Sequence, residues 1–387
     1  MTLIQLKHIG FKCKNGFISF MLSVFLSSTA LNAQRIEFDG QIQLQTNQGL
    51  QENSSFFWGG RYLPEFNFES KQDSLQSWSV QVAANLNAFE SLTSAQQFNT
   101  DIAPYRAWIR YLNKEWEFRL GLQKIDFGAA SLLRPLQWFN QIDPRDPLAL
   151  TNGVYAMLIR YYFKNNTNLW LWSLYGNQKP RGFDLFDSSK TKTEWGGRFQ
   201  FLVPKGEWGL TYHYRTTDFT ENTLIDYFGE SPEHRLGLDA KWDLGIGLWT
   251  ESTYIKRIQP IGLFKHQFLS TLGTDYTFGV GNGLHLIGEH LISSFGAEHA
   301  FENQASHVTA INANYPLGLF NSISFLVYHQ WSTNQNSLVL NYQEQFNKIS
   351  AYLIAYYNSN QFEAAQQNEI LYTFSGPGLQ LLLIYNH

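Results

Sequence analysis

The sequence predicts an all-β fold, a transmembrane antiparallel up-and-down β-barrel of about 18 strands, with 16 as the fallback number. Three observations predict it: an N-terminal export signal, strands that set an aromatic or aliphatic face against a polar one, and connections that alternate between short and long. Short periplasmic turns and long outside loops are typical of outer-membrane barrels. The predicted location is therefore the bacterial outer membrane, whose lipid is the first expected partner.

The export signal occupies residues 1–33. The first 16 residues contain three lysines and no acidic residue, and a short apolar run follows at 17–33. A small residue ends this run, so cleavage is expected after Ala33 or, as a second choice, after Ala30. A lasting membrane anchor fits less well, because the run is too short and wrongly flanked. A lipoprotein also fits less well, since Cys13 precedes the run.

The mature chain, residues 34–387, is predicted to be a single barrel domain without linkers or internal repeats. Removing three lysines lowers Lys+Arg from 28 to 25 against 32 acidic residues, a net charge of −7. Such a charge disfavours a nucleic-acid partner, which requires a basic face. Removal also deletes the chain's one cysteine, so a closed hydrogen-bonded sheet, not a disulfide, must hold the protein.

Strict alternation identifies the strands. In "RIEFDGQIQLQTN", Ile36, Phe38, Ile42 and Leu44 share one face and polar residues share the other. "WSVQVAANL", "EWGGRFQF" and "EWGLTYHYR" repeat the pattern. Rings at both ends of an apolar band predict the aromatic girdles of a membrane barrel. The opposite face looks too polar to fill a core, so we expect it to line a water-filled lumen. The girdle rings expected at the turns are Tyr111, Trp116, Phe201, Trp208, Trp242 and Phe320.

Nineteen candidate strands are present, one more than the even number expected. Either one is false or "SGPG" near the C-terminus is a bulge. If the N-terminus is periplasmic, every long connection falls outside: 124–152, 176–191, 218–232, 258–266, 294–305 and 358–366. The candidates are 35–47, 57–69, 75–89, 103–112, 115–123, 153–163, 167–175, 192–203, 207–217, 233–243, 246–257, 267–279, 283–293, 306–315, 319–330, 336–346, 349–357, 367–374 and 378–386.

The segment 124–152 is the candidate functional region, because long irregular loops are often functional. It lies between strands whose alternation turns several arginines inward, and it carries opposed charges of its own. Opposed charges at a narrowing select the ions and solutes that pass. The predicted lining of the lumen and its constriction is Arg106, Arg110, Glu117, Arg119, Arg134, Asp143, Arg145, Asp146, Arg160, Arg198 and Arg215.

"RLGLQKIDFG" followed by "FNQIDPRDP" resembles the Arg-x-Gly-x-Gln strand and Asn/Asp-Pro-x-Asp loop of several families of porin-like outer-membrane barrels. The resemblance covers about forty residues and departs from the usual pattern at "DFG" and "DPRDP". It implies a long loop that folds into the lumen and narrows it. A channel for passive diffusion of small hydrophilic solutes is the function it implies.

Other functions stay open. The inward arginines can instead pair with Glu117, Glu194 and Asp239 to brace the barrel, and the loop can plug it. A plugged barrel would act as an accessory or scaffold subunit in secretion, assembly or polymer export, so a homo-oligomer or other outer-membrane proteins are candidate partners.

An enzyme is not expected, since no histidine lies in a recognisable catalytic motif. The minor alternative, an outer-membrane hydrolase, would use His213, or His290 with Ser293 or Ser294. Neither a cofactor nor a metal site is predicted, because the spacing of His285, Glu289 and His299 is that of a strand.

Overall fold

The computed structural model describes residues 34–51, 56–71, 75–92, 97–220, 227–259, 261–359 and 376–387. Within these ranges the fold is almost entirely β, with one short 3₁₀ turn at Gly262–Phe264. The strands are β1 Gln34–Gly49, β2 Phe56–Lys71, β3 Gln76–Leu92, β4 Gln97–Asn113, β5 Trp116–Gln123, β6 Val154–Tyr162, β7 Asn168–Leu174, β8 Asp187–Ser188, β9 Glu194–Val203, β10 Gly206–Asp218, β11 Glu230–Asp243, β12 Gly247–Arg257, β13 His266–Phe278, β14 Leu284–Gly296, β15 Ser306–Pro316, β16 Asn321–Gln330, β17 Gln335–Gln345, β18 Ile349–Asn358 and β19 Gly376–Asn386.

Eighteen of these strands form one closed antiparallel barrel. Each pairs with its neighbours in the chain, and β1 closes the sheet by pairing with both β2 and β19. The two-residue β8 is an extra strand that pairs with the loop-side end of β10, so β7 pairs directly with β9. The predicted number of 18 is confirmed, and the fallback of 16 is wrong.

Eighteen of the nineteen sequence candidates correspond to barrel strands. The remaining candidate, 367–374, lies outside the described residues. The sequence analysis missed β8, because two residues are too few to show a period. Strand β18 pairs directly with β19 in a continuous register from Ile349↔Tyr385 to Asn358↔Gly376.

The two ends of the barrel differ as the sequence predicts. One end, here called the turn end, carries short connections such as 114–115, 204–205 and 244–246. The other, the loop end, carries 124–153, 175–193 and 297–305, and the strand ends that flank the connections β10–β11, β12–β13 and β18–β19 lie at this end too. The described termini meet at the turn end, where Gly40 and His387 exchange backbone hydrogen bonds. The strand ends that border all six predicted long loops therefore share one end, although most of 358–366 and part of 218–232 lie outside the described residues.

The outer face is apolar and ends in aromatic rings. Leu120, Leu210 and Leu272 are at least half exposed in mid-strand, which suits contact with lipid chains and not with water. At the turn end the predicted girdle forms real ring contacts. Trp116 lies 4.6 Å from Tyr161, and Trp208 meets Trp242 edge to face at 6.0 Å between centroids.

Among the described residues, no helix has the length and hydropathy needed to cross a membrane.

The interior has two unlike halves. Strands β1 to β12 turn mainly polar and charged side chains inward, with aromatic and aliphatic ones among them on β6 and β7. Strands β13 to β19 instead turn a largely apolar wall inward, which we call the apolar wall. The expectation that no inner face could fill a core is therefore wrong for this half. The wall consists of Leu269, Leu291, Ala310, Leu326, Tyr328, Val339, Tyr352, Ile354, Tyr356, Leu382 and Ile384.

Candidate functional site: the lumen and its inserted loop

The loop between β5 and β6, residues 124–153, folds into the barrel. Ile125, Leu136 and Phe139 are at most 2% exposed, although they belong to an irregular segment. Residues 130–136 reach strands β12, β13, β14 and β16, far around the barrel from β5 and β6. We call 124–153 the inserted loop. Its position in the lumen agrees with the interpretation drawn from the sequence.

Two carboxylates on the far wall hold the inserted loop. Glu289 on β14 accepts the backbone N–H groups of Ser131, Leu132 and Leu133 at 2.6, 2.9 and 2.5 Å. The Trp249 indole N–H donates to the same carboxylate at 2.9 Å. Hydrogen bonds to an ionised acceptor are roughly twice as strong as neutral ones. Glu289 is therefore an anchor for three consecutive loop residues.

Glu251 on β12 forms the second anchor. Its two carboxylate oxygens accept the N–H groups of Ala130 at 2.9 Å and Leu136 at 2.6 Å. Gly128 also lies against it, because a Cβ at that position would come within 2.3 Å of Glu251 Oε2. The glycine of "DFG" thus permits the close approach of loop and wall. Both anchoring carboxylates thus accept N–H groups of the loop or the wall.

Apolar contacts also hold the tip of the inserted loop, residues 130–136, against the far wall. Leu132 and Leu133 are 3% and 4% exposed and pack in one cluster with the apolar wall. The Thr271 hydroxyl donates to Leu133 O at 2.7 Å, so the tip is bonded between the two anchors. Burying a leucine side chain contributes about 1.5–3 kcal/mol. The loop and the apolar wall therefore share one core.

A second core attaches the base of the inserted loop to the near wall. Phe127 stacks on Trp172 of β7 with centroids 5.7 Å apart, and Phe139 meets the same ring edge to face at 5.3 Å. Trp138 lies over His213 at 5.9 Å. The loop is consequently packed against both sides of the barrel interior.

The arginines predicted on β4, β5 and β6 lie on the inner face of the barrel. Glu117 is the shared partner, at 2.6 Å from Arg119 and 3.5 Å from Arg160, and the Tyr162 hydroxyl donates to it at 2.8 Å. Arg160 also lies 3.7 Å over the Trp170 ring, a cation–π contact. These guanidinium groups are held in fixed positions facing the interior.

Arg106 and Arg110 extend this wall along β4. Arg110 donates to the Ser79 hydroxyl at 3.0 Å. Arg106 donates to Thr151 O at 2.9 Å and so ties the end of the inserted loop to the wall. With Arg119 and Arg160 they make four arginines, whose carboxylate neighbours are Glu117 and, beside Arg106, Glu65, so arginines outnumber carboxylates in this part of the interior.

Arg198 and Arg215 have structural partners. Arg198 donates to Asp239 Oδ2 at 2.9 Å, and Arg215 binds Glu233 at 2.7 Å and Asp184 at 2.8 Å. The bracing pairs anticipated for Glu117 and Asp239 are present, whereas Glu194 binds Arg181 of the 175–193 connection at 3.0 Å and not a strand arginine. These two arginines therefore brace the wall.

The charges of the inserted loop pair mainly within the loop. Arg134 donates to Asp126 at 2.7 Å, and Arg145 binds Asp143 through two nitrogens, the closer at 2.7 Å. Each pair thus brings a guanidinium and a carboxylate of the loop together. Burial alone would raise the pKa of Asp126, but the Arg134 guanidinium outweighs it and the pKa lies below its ordinary value. Both pairs fix the shape of the loop.

Asp146 is the loop carboxylate that faces the wall. It accepts the N–H of Leu148 at 3.0 Å and interacts electrostatically with Arg61 on β2. Burial raises the pKa of Asp146, and this outweighs the opposing effects of Leu148 and Arg61. Of the predicted loop charges, Asp146 fits the opposed-charge arrangement best.

Sequence analysis missed several residues that complete this interior. Arg235 and Arg257 join Arg215 around Glu233, and Asp184 of the 175–193 connection bridges Arg215 and Arg235. The alternation of β11 and β12 turns both arginines inward, so this signal was available. Nothing in the sequence pointed to Asp184, because it lies in irregular chain.

The histidines on the barrel wall bond to neighbouring side chains. His213 is buried between Glu194 at 3.1 Å and Trp172 at 3.2 Å. His285 pairs with Asp275 at 3.1 Å, while Glu289 binds the loop. Across the described ranges, no group of three His, Cys, Asp or Glu side chains could hold a metal ion.

The outward His290 contacts Thr309 at 2.9 Å and His307 at 3.1 Å. Ser294 donates to the Asn303 carbonyl at 3.4 Å, and His299 accepts the N–H of Glu302 through its own carbonyl. No described hydrogen bond joins His290 to Ser293 or Ser294. The minor hydrolase interpretation therefore gains no geometric support.

No protein-family model and no curated protein matches the sequence. The fold is similar to that of OmpT, an outer membrane protein of Vibrio cholerae solved after in-vitro folding in its trimer form, with a TM-score of 0.53 and 8% identity over 92% of this chain and 100% of that one. OmpF of Salmonella typhi, solved with daunomycin, gives a TM-score of 0.49 and 10% identity over 91% and 97%. At such identities the likeness concerns the fold. The chain has the fold of a porin-like outer-membrane β-barrel.

Proposed function

We propose that this chain is a bacterial outer-membrane channel through which small hydrophilic solutes diffuse passively, with the lumen narrowed by residues 124–152. One observation carries the proposal: the loop lies inside a closed barrel and is anchored to the far wall by Glu251 and Glu289. A fixed constriction beside an arginine-rich wall selects solutes by size and charge. Residues 1–33 would be removed on export.

The proposal includes no enzymatic activity and no cofactor. It is supported by the structural roles of His213 and His290, each of which is bonded to neighbouring wall residues. Incubating the refolded barrel with phospholipid vesicles or a protein substrate tests this part. Release of fatty acid or peptide that a His290→Ala variant abolishes would contradict it.

Single-channel conductance of the refolded wild type in a planar lipid bilayer is the main experiment. We expect steady current steps, with an ion selectivity that reports the net charge at the constriction. A barrel that folds, as judged by heat-modifiable migration in gel electrophoresis, yet stays silent would sink the channel proposal.

Loosening the inserted loop tests the constriction itself. Deleting residues 128–150 should raise the conductance, but the deletion also exposes the apolar wall that these residues cover. The variant Glu251→Gln with Glu289→Gln is gentler, because it keeps volume and weakens five backbone hydrogen bonds. We expect a larger or noisier open-channel current. Glu207→Gln is the matched control, since Glu207 faces inward near the turn end and contacts Gln200, not the loop.

A plugged accessory subunit is the second candidate. Its support is the apolar packing of the loop tip on β13 to β19, which resembles a protein core more than a channel. This function predicts silence in the bilayer, and purification from the native membrane with stoichiometric companion proteins. Wild-type current steps together with purification as a lone or self-associated barrel would exclude it.

A further inference from the structure

A cavity of about 820 Å³ lies at the loop end, between β3, β4, the inserted loop and the 175–193 connection. We call it the vestibule. Its lining is unusually rich in side-chain amides, with eight Asn or Gln among its residues. Those amides are Asn85, Asn87, Asn99, Asn140, Gln141, Asn152, Asn177 and Gln178.

A bulge in β4 builds one wall of the vestibule. Arg106 pairs with Ala83 and Pro104 with Ala84, so Tyr105 is an extra residue in β4. Beyond it, the register sets Asn99 opposite Phe89 and Asp101 opposite Asn87. Residues opposite each other share a face of the sheet. The bulge therefore switches β4 from even to odd inward positions, as bulges near functional sites do when they re-aim a side chain.

Five charged residues line the vestibule, and three of them, Arg61, Arg181 and Asp184, bond to other residues of the barrel interior. Asp101 and Lys179 complete the set. Arg181 binds Glu194, and Asp184 binds Arg215 and Arg235. Arg61 donates to Asn87 Oδ1 at 2.8 Å. A charged solute would have to break these pairs or be buried without a counter-charge, which is costly. The vestibule therefore favours neutral solutes over ions.

Some side-chain amide atoms on β1 and β3 make no hydrogen bond within the described protein. The Asn85 carbonyl oxygen belongs to a residue of the vestibule lining, and the Gln45 and Asn47 amide nitrogens are buried on β1, two strands away. These three atoms have no hydrogen-bond partner in the described protein. Asn and Gln each offer two donors and an acceptor, which matches hydroxyl groups that both donate and accept. Phe89 and Tyr105 add ring faces that can cover the C–H side of such a solute.

From these observations we infer that the vestibule binds neutral polyhydroxylated solutes of the short-oligosaccharide class and leads them to the amide-lined side of the lumen at β1 to β3. The inference rests on the proposed channel for passage, but binding in the vestibule requires only the folded barrel. The occupant is small, because an 820 Å³ cavity matches a ligand of a few sugar rings.

Maltotriose is the probe, and a galacturonic acid trisaccharide is its anionic counterpart. We expect maltotriose to block the ion current reversibly and the anionic sugar to block it far more weakly. The double variant Asn85→Ala with Asn99→Ala should raise the half-blocking concentration about tenfold, as losing one or two hydrogen bonds does. Asn312→Ala is the matched control, because Asn312 is an inward amide with an unpartnered carbonyl outside the vestibule lining.

Calorimetric titration of the same sugars into detergent-solubilised barrel separates this inference from the channel. Binding of maltotriose that the double variant weakens supports the vestibule site even if the bilayer stays silent. Current steps without any effect of maltotriose, and no heat of binding, would overturn the vestibule site and leave the channel standing. Tighter binding of the anionic trisaccharide, or equal binding by the double variant, would also overturn it.

Discussion

Gly121 shows how one residue limits the wall next to the inserted loop. It lies in the "RLGLQ" strand with φ +123°, and a Cβ there would be 2.1 Å from the Ala107 carbonyl oxygen. Backbone in this region is open to glycine and strained for other residues, at about 1–3 kcal/mol. The glycine is thus required by pairing with β4 and not by the lumen.

Gly121→Ala should therefore destabilise the barrel by about 2 kcal/mol or more, from strain plus the clash with β4. The urea midpoint of refolding into vesicles measures this. Gly288→Ala is the control, because nothing lies within 4 Å of its added Cβ and no positive φ is involved. Equal midpoints for both variants would contradict the steric argument.

Asp146 predicts a pH-dependent selectivity. Burial raises the pKa of its carboxyl, so the folded loop takes up a proton at a higher pH than an ordinary aspartate. Because the pKa of Asp146 is raised in the folded state, protonating this carboxyl at acidic pH does not destabilise the folded loop. Protonation of Asp146 removes one negative charge facing Arg61. We expect cation selectivity to fall as the pH drops through the mildly acidic range.

Reversal potentials in a salt gradient, recorded from neutral to acidic pH, measure this change. Asp146→Asn should show the low-pH selectivity at every pH. Asp243→Asn removes the same charge at the turn end and should leave the titration in place. A titration that survives in Asp146→Asn would assign it to another group.

At the scale of elements, the sequence predicted the strands better than it predicted their surroundings. Alternation located β1 to β7 and β9 to β18 within three residues at each end, since one face meets lipid and the other does not. The exception is the start of β4 at Gln97, six residues before the predicted 103, because the extra residue Tyr105 breaks the period of two. It could not describe the apolar wall, because "LQLLLIY" in β19 is apolar on both faces and shows no contrast. Leu381 is exposed and Leu382 buried, although the two are identical in type.

The site on the far wall that the inserted loop contacts could not be predicted from the sequence either. Leu133 N meets Glu289 over 156 positions of chain, and no local pattern encodes such a contact. The length, prolines and charges of the segment did indicate a functional insertion. They did not indicate that Asp126, Arg134, Asp143 and Arg145 would pair with one another, because that depends on the loop's own fold.

The β4 bulge offers a prediction at this scale. Deleting Tyr105 removes the extra residue, so either Asn99 and Asp101 turn toward lipid or the outer half of β4 loses its pairing with β3. We expect a smaller folded fraction after refolding. Tyr105→Ala keeps the residue count and should fold like the wild type. A deletion variant that folds fully and still binds maltotriose would show that the bulge does not set the vestibule.

At the scale of the whole molecule, the barrel combines two kinds of stability. The strand ladder closes through β1 and β19 and leaves no open edge, so it does not depend on the interior. The inserted loop depends on the apolar wall and on two anchoring carboxylates. A change that displaces the loop can therefore spare the barrel. This independence allows the constriction to be tested without unfolding the protein.

The variants Leu133→Asp and Ala149→Asp test whether the inserted loop can be displaced while the barrel stays folded. Leu133 is buried against the apolar wall, whereas Ala149 is an exposed residue of the same loop with φ +46°, which aspartate tolerates. A buried unpaired carboxylate costs several kcal/mol, so Leu133→Asp should expel the loop tip. We expect protease cleavage near residue 133 and a higher conductance, with heat-modifiable migration unchanged. Ala149→Asp makes the same charge change and should resist cleavage. If Leu133→Asp leaves both cleavage and conductance at wild-type values, the packing of the tip on β13 to β19 does not set the width of the lumen.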